Sequence, residues 1–233
     1  MTIRALIFDV DGTLAETEEL HRTAFNQTFA AAGLPWQWSV DDYTWLLRTT
    51  GGKERMRVWA LHVGSDLDDD LIARLHNEKT RRYGDLLAGG GLSLRPHVAE
   101  LIAAARAEGL RLAVATTTNR PNVDALTKAA WGAPADLVFD VIAAGDEVAA
   151  KKPAPDVYLL ALSRLGLPAD AALAFEDSRN GLLSARAAGL RVVVTPSIYT
   201  AHEDFGGADA LVPDLGLPNL PRDLNASLGG QGR

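Results

Sequence analysis

The chain has no cysteine in 233 residues. Disulfides, thiolate metal sites and thiol nucleophiles are therefore all excluded, and any metal must sit on oxygen or imidazole. Long apolar runs are also missing. The opening stretch Ile3–Phe8 is too short for the core of a secretory leader, and nothing approaches the roughly 18 apolar residues of a membrane span. A cytoplasmic protein is the expectation, with no membrane partner. Positive charge is scarce: 23 Lys and Arg stand against 30 Asp and Glu, a net charge of −7. With no basic stripe along the chain, nucleic acid is not an expected partner. Repeats and low-complexity tracts are absent, apart from a polar, Gly-rich end at Asn219–Arg233 that reads as frayed. What remains is ordinary globular composition, 47% hydrophobic and 23% charged, in a chain long enough for one α/β domain with a modest insertion.

Short apolar runs at Ile3–Phe8, Leu112–Ala115, Leu137–Ile142, Ala172–Phe175, Val192–Val194 and Ala210–Val212 read as buried strands. Helical periods lie between them: Val98, Leu101, Ile102 and Ala105 before Gly109; Tyr158, Leu162 and Leu165 before Gly166; Leu182, Ala185 and Ala188 before Gly189. Such alternation forces parallel strands with helices on both faces, a doubly wound, mostly parallel Rossmann-like α/β sheet. Between Leu14 and Leu87 the alternation stops and only helical patterns occur, through Leu20, Ala24 and Phe29, then Val58, Leu61 and Val63, then Leu71, Leu75 and Tyr83. This block reads as an inserted all-helical cap at 17–88 on a discontinuous core, 1–16 and 89–233. Linkers around Leu14–Thr17 and Ala88–Gly91 would let it rock over the sheet. Trp36, Trp38, Trp45 and Trp59 read as cap core rather than a sugar-stacking platform.

Ligands of an open parallel sheet bind beyond the carboxyl ends of its strands. Standing there are Asp9 and Asp11, then Thr116–Arg120, then Gly145–Lys152, then Glu176 and Asp177. Taken singly, the first pair could be an Asx turn before Gly12, and the last pair a helix N-terminal acid pair. Together they crowd four carboxylates into one volume, which is destabilising without a counter-charge. A hard divalent cation resolves the conflict. Magnesium takes oxygen ligands from a few carboxylates plus substrate phosphate, so the pattern implies phosphate chemistry. Thr117 competes with Thr116, and Lys151 with Lys152, for contact with a phosphoryl group.

These motifs, D-V-D-G-T at Asp9–Thr13, Thr116, Lys152 in K-K-P-A-P-D and E-D at Glu176–Asp177, resemble the haloacid dehalogenase superfamily of phosphotransferases. Within it, the chain is similar to the helical-cap subfamily of β-phosphoglucomutases and CbbY-type sugar-bisphosphate phosphatases. The resemblance implies that Asp9 is the nucleophile forming an aspartyl phosphate and Asp11 the general acid and base. It implies that Thr116 and Lys152 stabilise the transferring group, and that Asp9, Asp11 through its carbonyl, Glu176 and Asp177 surround Mg2+. Superfamily dehalogenases lack the second aspartate, so Asp11 argues against C–halogen cleavage.

The segment T-T-G-G-K-E-R-M-R at Thr49–Arg57 should enter a cap helix, with four cations from Arg48 to Arg57 against Glu54 alone. By the resemblance, Thr50, Gly51, Gly52 and Lys53, with Thr117, Thr118, Asn119 and Arg120, would grip a second, non-reacting phosphate. Glu16 and His21 match a hinge pattern that touches sugar and the acid/base aspartate. Lys79 and Tyr83 match a cap K-x-x-x-Y pattern, although His21 and Lys79 would also suit a solvated helix face. The expected enzyme is a monomeric magnesium phosphatase of a small sugar bisphosphate. The resemblance to CbbY sequences in T-T-G-G-K-E-R points to xylulose-1,5-bisphosphate, an inhibitor of Rubisco, and so to the Calvin cycle. A sugar phosphomutase shares the aspartyl-phosphate step. A non-catalytic phospho-aspartate switch would instead place its aspartate after a later strand and carry no cap.

Overall fold

The computed structural model describes residues 2–90 and 92–229. Six strands, β1 (Ala5–Phe8), β2 (Arg111–Ala115), β3 (Val141–Ala143), β4 (Ala172–Glu176), β5 (Arg191–Val194) and β6 (Ala210–Leu211), form one sheet in the order β3-β2-β1-β4-β5-β6. Every pairing is parallel. The chain order reverses on either side of β1, so a crevice must open beyond its carboxyl end, where Asp9 stands. The strands alternate between two buried faces. Leu6 and Phe8 point into one aliphatic cluster, Ala5 and Ile7 into the other. That double burial is why the strands read as unbroken apolar runs.

One face is covered by α5 (Val98–Ala107), α6 (Arg120–Trp131) and α10 (Arg222–Gly229), the other by α8 (Asp156–Leu165) and α9 (Arg179–Ala187). Two sequence expectations change here. Leu137 and Val138 belong to a short helix, α7 (Ala135–Val138), and β3 starts only at Val141. An apolar run carries no period that separates a strand from a turn of helix, and the turn wins because Ala135, Val138 and Phe139 plug into the core cluster while Leu137 faces solvent. Within the segment expected to be frayed, Arg222–Gly229 is helical: Leu224 and Leu228, four apart on α10, are buried against the same cluster. Residues 230–233 lie outside the described residues, as does Gly91 of the expected linker.

Between β1 and β2 stand α1 (Glu18–Ala31), α2 (Val40–Leu46), α3 (Gly52–His62) and α4 (Asp69–Ala88). Their shared core is a third cluster built on aromatic rings: Phe25, Phe29, Trp36, Trp38, Tyr43 and Trp59. Trp38 lies at its centre, 4.6 Å from Phe25, 4.9 Å from Phe29 and 5.8 Å from Tyr43, ring centre to ring centre. Trp45, expected inside, is partly exposed against His62. On α3 the buried face is Met56, Trp59 and Ala60, and the expected Leu61 and Val63 are exposed. The 56-59-60 spacing is also helical, and it turns the large indole inward. No helix among the described residues is long and apolar enough to cross a membrane.

Candidate active site

The chain leaves β1 straight into the site. Asp9 follows the strand, its amide bonded to the Phe175 carbonyl of β4 at 3.0 Å, so the first and fourth strand ends are held side by side. Gly12 turns the chain with φ 86°, and a methyl there would lie 2.3 Å from Asp177 Oδ2. At Gly181 a methyl would lie 1.8 Å from Glu176 Oε2. The two glycines thus leave room for the acid pair.

Asp9, Glu176 and Asp177 are all buried and offer carboxylate oxygens within 4.8 Å of one another. Lys152 Nζ donates to Asp9 Oδ1 and Glu176 Oε1, each at 2.6 Å, and Tyr158 donates to the same Glu176 oxygen at 2.5 Å. One buried lysine does not balance three buried carboxylates. Burial drives the Asp9 carboxyl up to about 8, although Lys152 opposes this, and burial with the neighbouring Asp9 and Glu176 raises Asp177 well above the usual carboxylate range. Glu176 Oε2 is buried with no hydrogen-bond partner among the described residues. This surplus of negative oxygen, with one atom unpartnered, fits a hard divalent cation. Asp11 is part of this rim, but its carboxylate lies outside the cluster. It accepts from Thr17 Oγ1 at 2.5 Å and pairs with His21 Nε2 at 2.9 Å. Burial works against ionisation, but the His21 charge, the two hydrogen bonds and the Lys79 charge hold Asp11 below the usual carboxylate range.

Lys79 Nζ lies 2.6 Å from His21 Nδ1, and the His21 ring stacks on Tyr83 at 3.9 Å. With Lys79 donating to Nδ1, a neutral His21 carries its proton on Nε2 and donates it to Asp11. Lys79 is fully enclosed, and burial brings its ammonium down to about 7. Thr116 is buried at the end of β2, with Thr117, Thr118 and Asn119 beyond it. Gly145 approaches so closely that a methyl would meet the Thr117 carbonyl at 2.2 Å. Asn119 caps α6 through Asn122 N at 3.1 Å and also reaches Thr80 of α4 at 3.2 Å.

These groups line a cavity of about 440 Å³ between sheet and helices, walled on the helical side by Thr50, Gly51, Gly52, Lys53, His21 and Lys79. Lys151 competed with the favoured Lys152 in the sequence; the fold sends Lys152 to Asp9, while Lys151 lines the cavity and donates to the Gly145 carbonyl at 3.3 Å. Three expected residues do not line the cavity: Glu176 is fully buried against Lys152 and Tyr158, and two others are drawn elsewhere. Glu16 turns away toward Arg95, 3.5 Å off, and Arg120 is tied at the surface to Asp124 and Asp136 at 2.9 and 2.6 Å. In both cases a nearby opposite charge outside the cavity captures the side chain. Of the four cations from Arg48 to Arg57, Arg57 pairs with Asp69 on the surface.

The wall also holds Arg55, one of the four cap cations, and residues that sequence reading did not single out: Glu18, His76 and Asn77. Glu18 accepts from Tyr43 at 2.7 Å, and Arg55 donates to that same phenol oxygen at 3.0 Å. His76 faces Gly52, where a methyl would come within 2.9 Å of the imidazole. Burial and the charges of Lys79, Lys53 and Lys151 lower His76 to about 3. Its position three residues before Lys79 puts the two on one face of α4, a spacing that could have flagged it.

A family model described as haloacid dehalogenase-like hydrolase matches residues 3–189. The chain belongs to the haloacid dehalogenase-like hydrolases. Among the proteins of this family it resembles, protein CbbY of Rhodobacter capsulatus is 63% identical over 227 residues, spanning 95% of this chain and 100% of that one. The crystal structure of CbbY from Rhodobacter sphaeroides in complex with phosphate is 56% identical, with TM-score 0.89 over 91% of this chain and 95% of that one. A mutant of that protein, solved in complex with xylulose-(1,5)bisphosphate, is 55% identical with the same TM-score and coverage.

Proposed function

We propose that this hydrolase is a magnesium-dependent phosphatase of a small sugar bisphosphate, with xylulose-1,5-bisphosphate as substrate and residues 17–88 acting as a cap over a core of 1–16 and 89–233. The observation that carries the reading is a single cavity with two unlike groups of lining residues. Asp9 and Asp177 of the buried carboxylate cluster line it, and so do Lys53, Lys151 and His76, gathered about Gly51 and Gly52. A ligand with two phosphates satisfies both: one reacts at Asp9 and the other is held by the cations. The solved complex of the similar CbbY with xylulose-(1,5)bisphosphate supports the choice of sugar.

In this reading Asp9 attacks phosphorus in line and the sugar oxygen departs, leaving an aspartyl phosphate that water then hydrolyses. Lys152, fixed between Asp9 and Glu176, holds Asp9 in one rotamer and offsets charge building on the transferring group. Thr116 and the Thr117–Asn119 turn present hydroxyl and amide groups to that group's oxygens. Asp11 moves the proton. It gives one to the departing sugar oxygen, and its ionised form, favoured by Thr17 and His21, then takes one from the attacking water, while Lys79 keeps His21 in the matching tautomer. Asp9, Glu176, Asp177 and the Asp11 carbonyl would hold Mg2+, which when bound supplies positive charge at the transferring phosphoryl group. The test is incubation with Mg2+ and xylulose-1,5-bisphosphate. One inorganic phosphate released per sugar consumed is expected, and an isomerised sugar phosphate without phosphate release would make the enzyme a mutase.

A further inference from the structure

The loop after β5 touches both the acid cluster and the helical cap, although neither the expected motifs nor the proposed chemistry uses it. Its start is clamped: Arg95, itself at the return linker, donates to the carbonyls of Thr195 at 2.6 Å and Pro196 at 2.8 Å, and to the Gly12 carbonyl of the outgoing linker. The Arg95 amide bonds the Leu14 carbonyl at 2.8 Å. One buried guanidinium thus ties both linkers to this loop.

The middle of the loop holds Asp177. Thr200 Oγ1 lies 2.7 Å from the Asp177 carbonyl oxygen and 3.2 Å from Oδ2, and it accepts from Ser197 N at 2.9 Å. Ser197 Oγ and Thr200 Oγ1 are 2.9 Å apart, and both residues are buried. Between them, Tyr199 points the other way. Its hydroxyl donates to Glu19 Oε2 of α1 at 2.6 Å, and its ring meets Tyr43 edge-on at 5.9 Å on the flank of the cap's aromatic core. Two adjacent residues, 199 and 200, therefore grip cap and acid cluster respectively. Residues 197–200 form one hydrogen-bonded turn, so the two grips belong to a single local unit.

We propose that Ser197–Thr200 is a positioning strap that couples seating of the cap to orientation of Asp177, so that the acid cluster reaches its full affinity for a divalent cation only under a seated cap. Tyr199 is its sensing residue and Thr200 its effector. The proposal rests on the reading of Asp177 as a metal ligand. Titration calorimetry with Mg2+ alone, without substrate, on the full chain tests it. Thr200→Val should weaken binding about tenfold, in the range of lost partners to a ligating carboxylate. Tyr199→Ala and Tyr199→Phe, which touch only the cap side, should weaken it in turn, the former about fivefold. The double variant Tyr199→Ala/Thr200→Val should bind no worse than Thr200→Val alone. Glu19→Ala removes the acceptor of the same bond from an exposed helix position and must act in the same direction as Tyr199→Phe, which covers the case in which Tyr199→Ala does not fold. A folded Tyr199 or Glu19 variant with wild-type Mg2+ affinity, beside an Asp177→Asn control that binds weakly, overturns the strap alone. Wild-type affinity in Asp177→Asn overturns the metal-site reading beneath it.

Discussion

The sheet and the cap solve opposite problems with opposite residues. The sheet is packed mostly from Ala, Val, Leu and Ile, with Phe8, Phe139 and Phe175 grouped on one face, and it places charge at strand ends, where backbone register decides which side chains meet. The cap is packed from Phe, Trp and Tyr around Trp38, and it offers charge from helix faces and one Gly-rich loop. Its meeting with the sheet combines apolar packing of Ala24, Tyr83 and Leu87 onto the sheet-side cluster with single polar contacts. Thr50 donates to the Lys152 carbonyl, Asn180 to the Arg48 carbonyl, and Asn119 to Thr80. Chemistry is thus built where the geometry is stiffest and recognition where it can move, so damage to the two regions should read out differently.

The largest effect expected is on the sheet side. Asp9→Asn should lower phosphate release at least about 10⁴-fold, as removal of a nucleophile does. The metal-free protein should nevertheless melt no lower than wild type, because a crowded buried carboxyl has been removed. Near-wild-type turnover would end the covalent scheme. Trp38→Ala is the counterpart in the cap, a truncation of a fully buried indole costing about 3–5 kcal/mol in urea unfolding. If the two regions are as distinct as their cores, this variant unfolds in two steps, with the helices lost first.

Lys53→Ala should raise KM for the bisphosphate about ten- to a hundredfold, the worth of a charge-assisted hydrogen bond, with little change in turnover of a monophosphate. An equal loss on both substrates would remove Lys53 from the distal grip. His76 sharpens the comparison through pH. Its folded value of about 3 lies below the unfolded 6.5, so the unfolded chain binds the extra proton between these values. His76 therefore costs progressively more stability as pH falls from 6.5 toward 3, and His76→Gln should melt with a shallower acid slope. Smallest of all is Arg120→Ala. Its surface ion pairs are worth about 1 kcal/mol or less, and the substrate KM should stay unchanged.

Legibility followed the same division. Every strand-end group read from the motifs, Asp9, Asp11, Thr116, Lys152, Glu176 and Asp177, lies at the cavity or its rim, because a residue directly after a parallel strand is delivered to the sheet edge by that strand. Glu16 and Arg120 read equally well and are elsewhere, since Arg95, Asp124 and Asp136 capture them, partners set by tertiary packing. Glu18, Arg55 and His76 reach the cavity from helices whose rotation is decided by the aromatic core. For α3, Trp59 is inside as its type suggested, but local period had also put Leu61 and Val63 inside and the packing leaves them exposed. At the chain end, the Leu224–Leu228 spacing was visible but was outweighed by the surrounding Gly and polar residues.

By itself, the order of apolar runs and acidic turns determined a parallel sheet, an inserted helical block and an oxygen-rich rim suited to a cation, because strand periodicity and turn chemistry act within a few residues. The tertiary structure alone decided that His76 joins Lys53 and Lys151 in lining the cavity, and that Tyr199 joins cap to rim. Those outcomes depend on which side chains compete for one another across long stretches of chain, and that competition is settled only when the cores have packed.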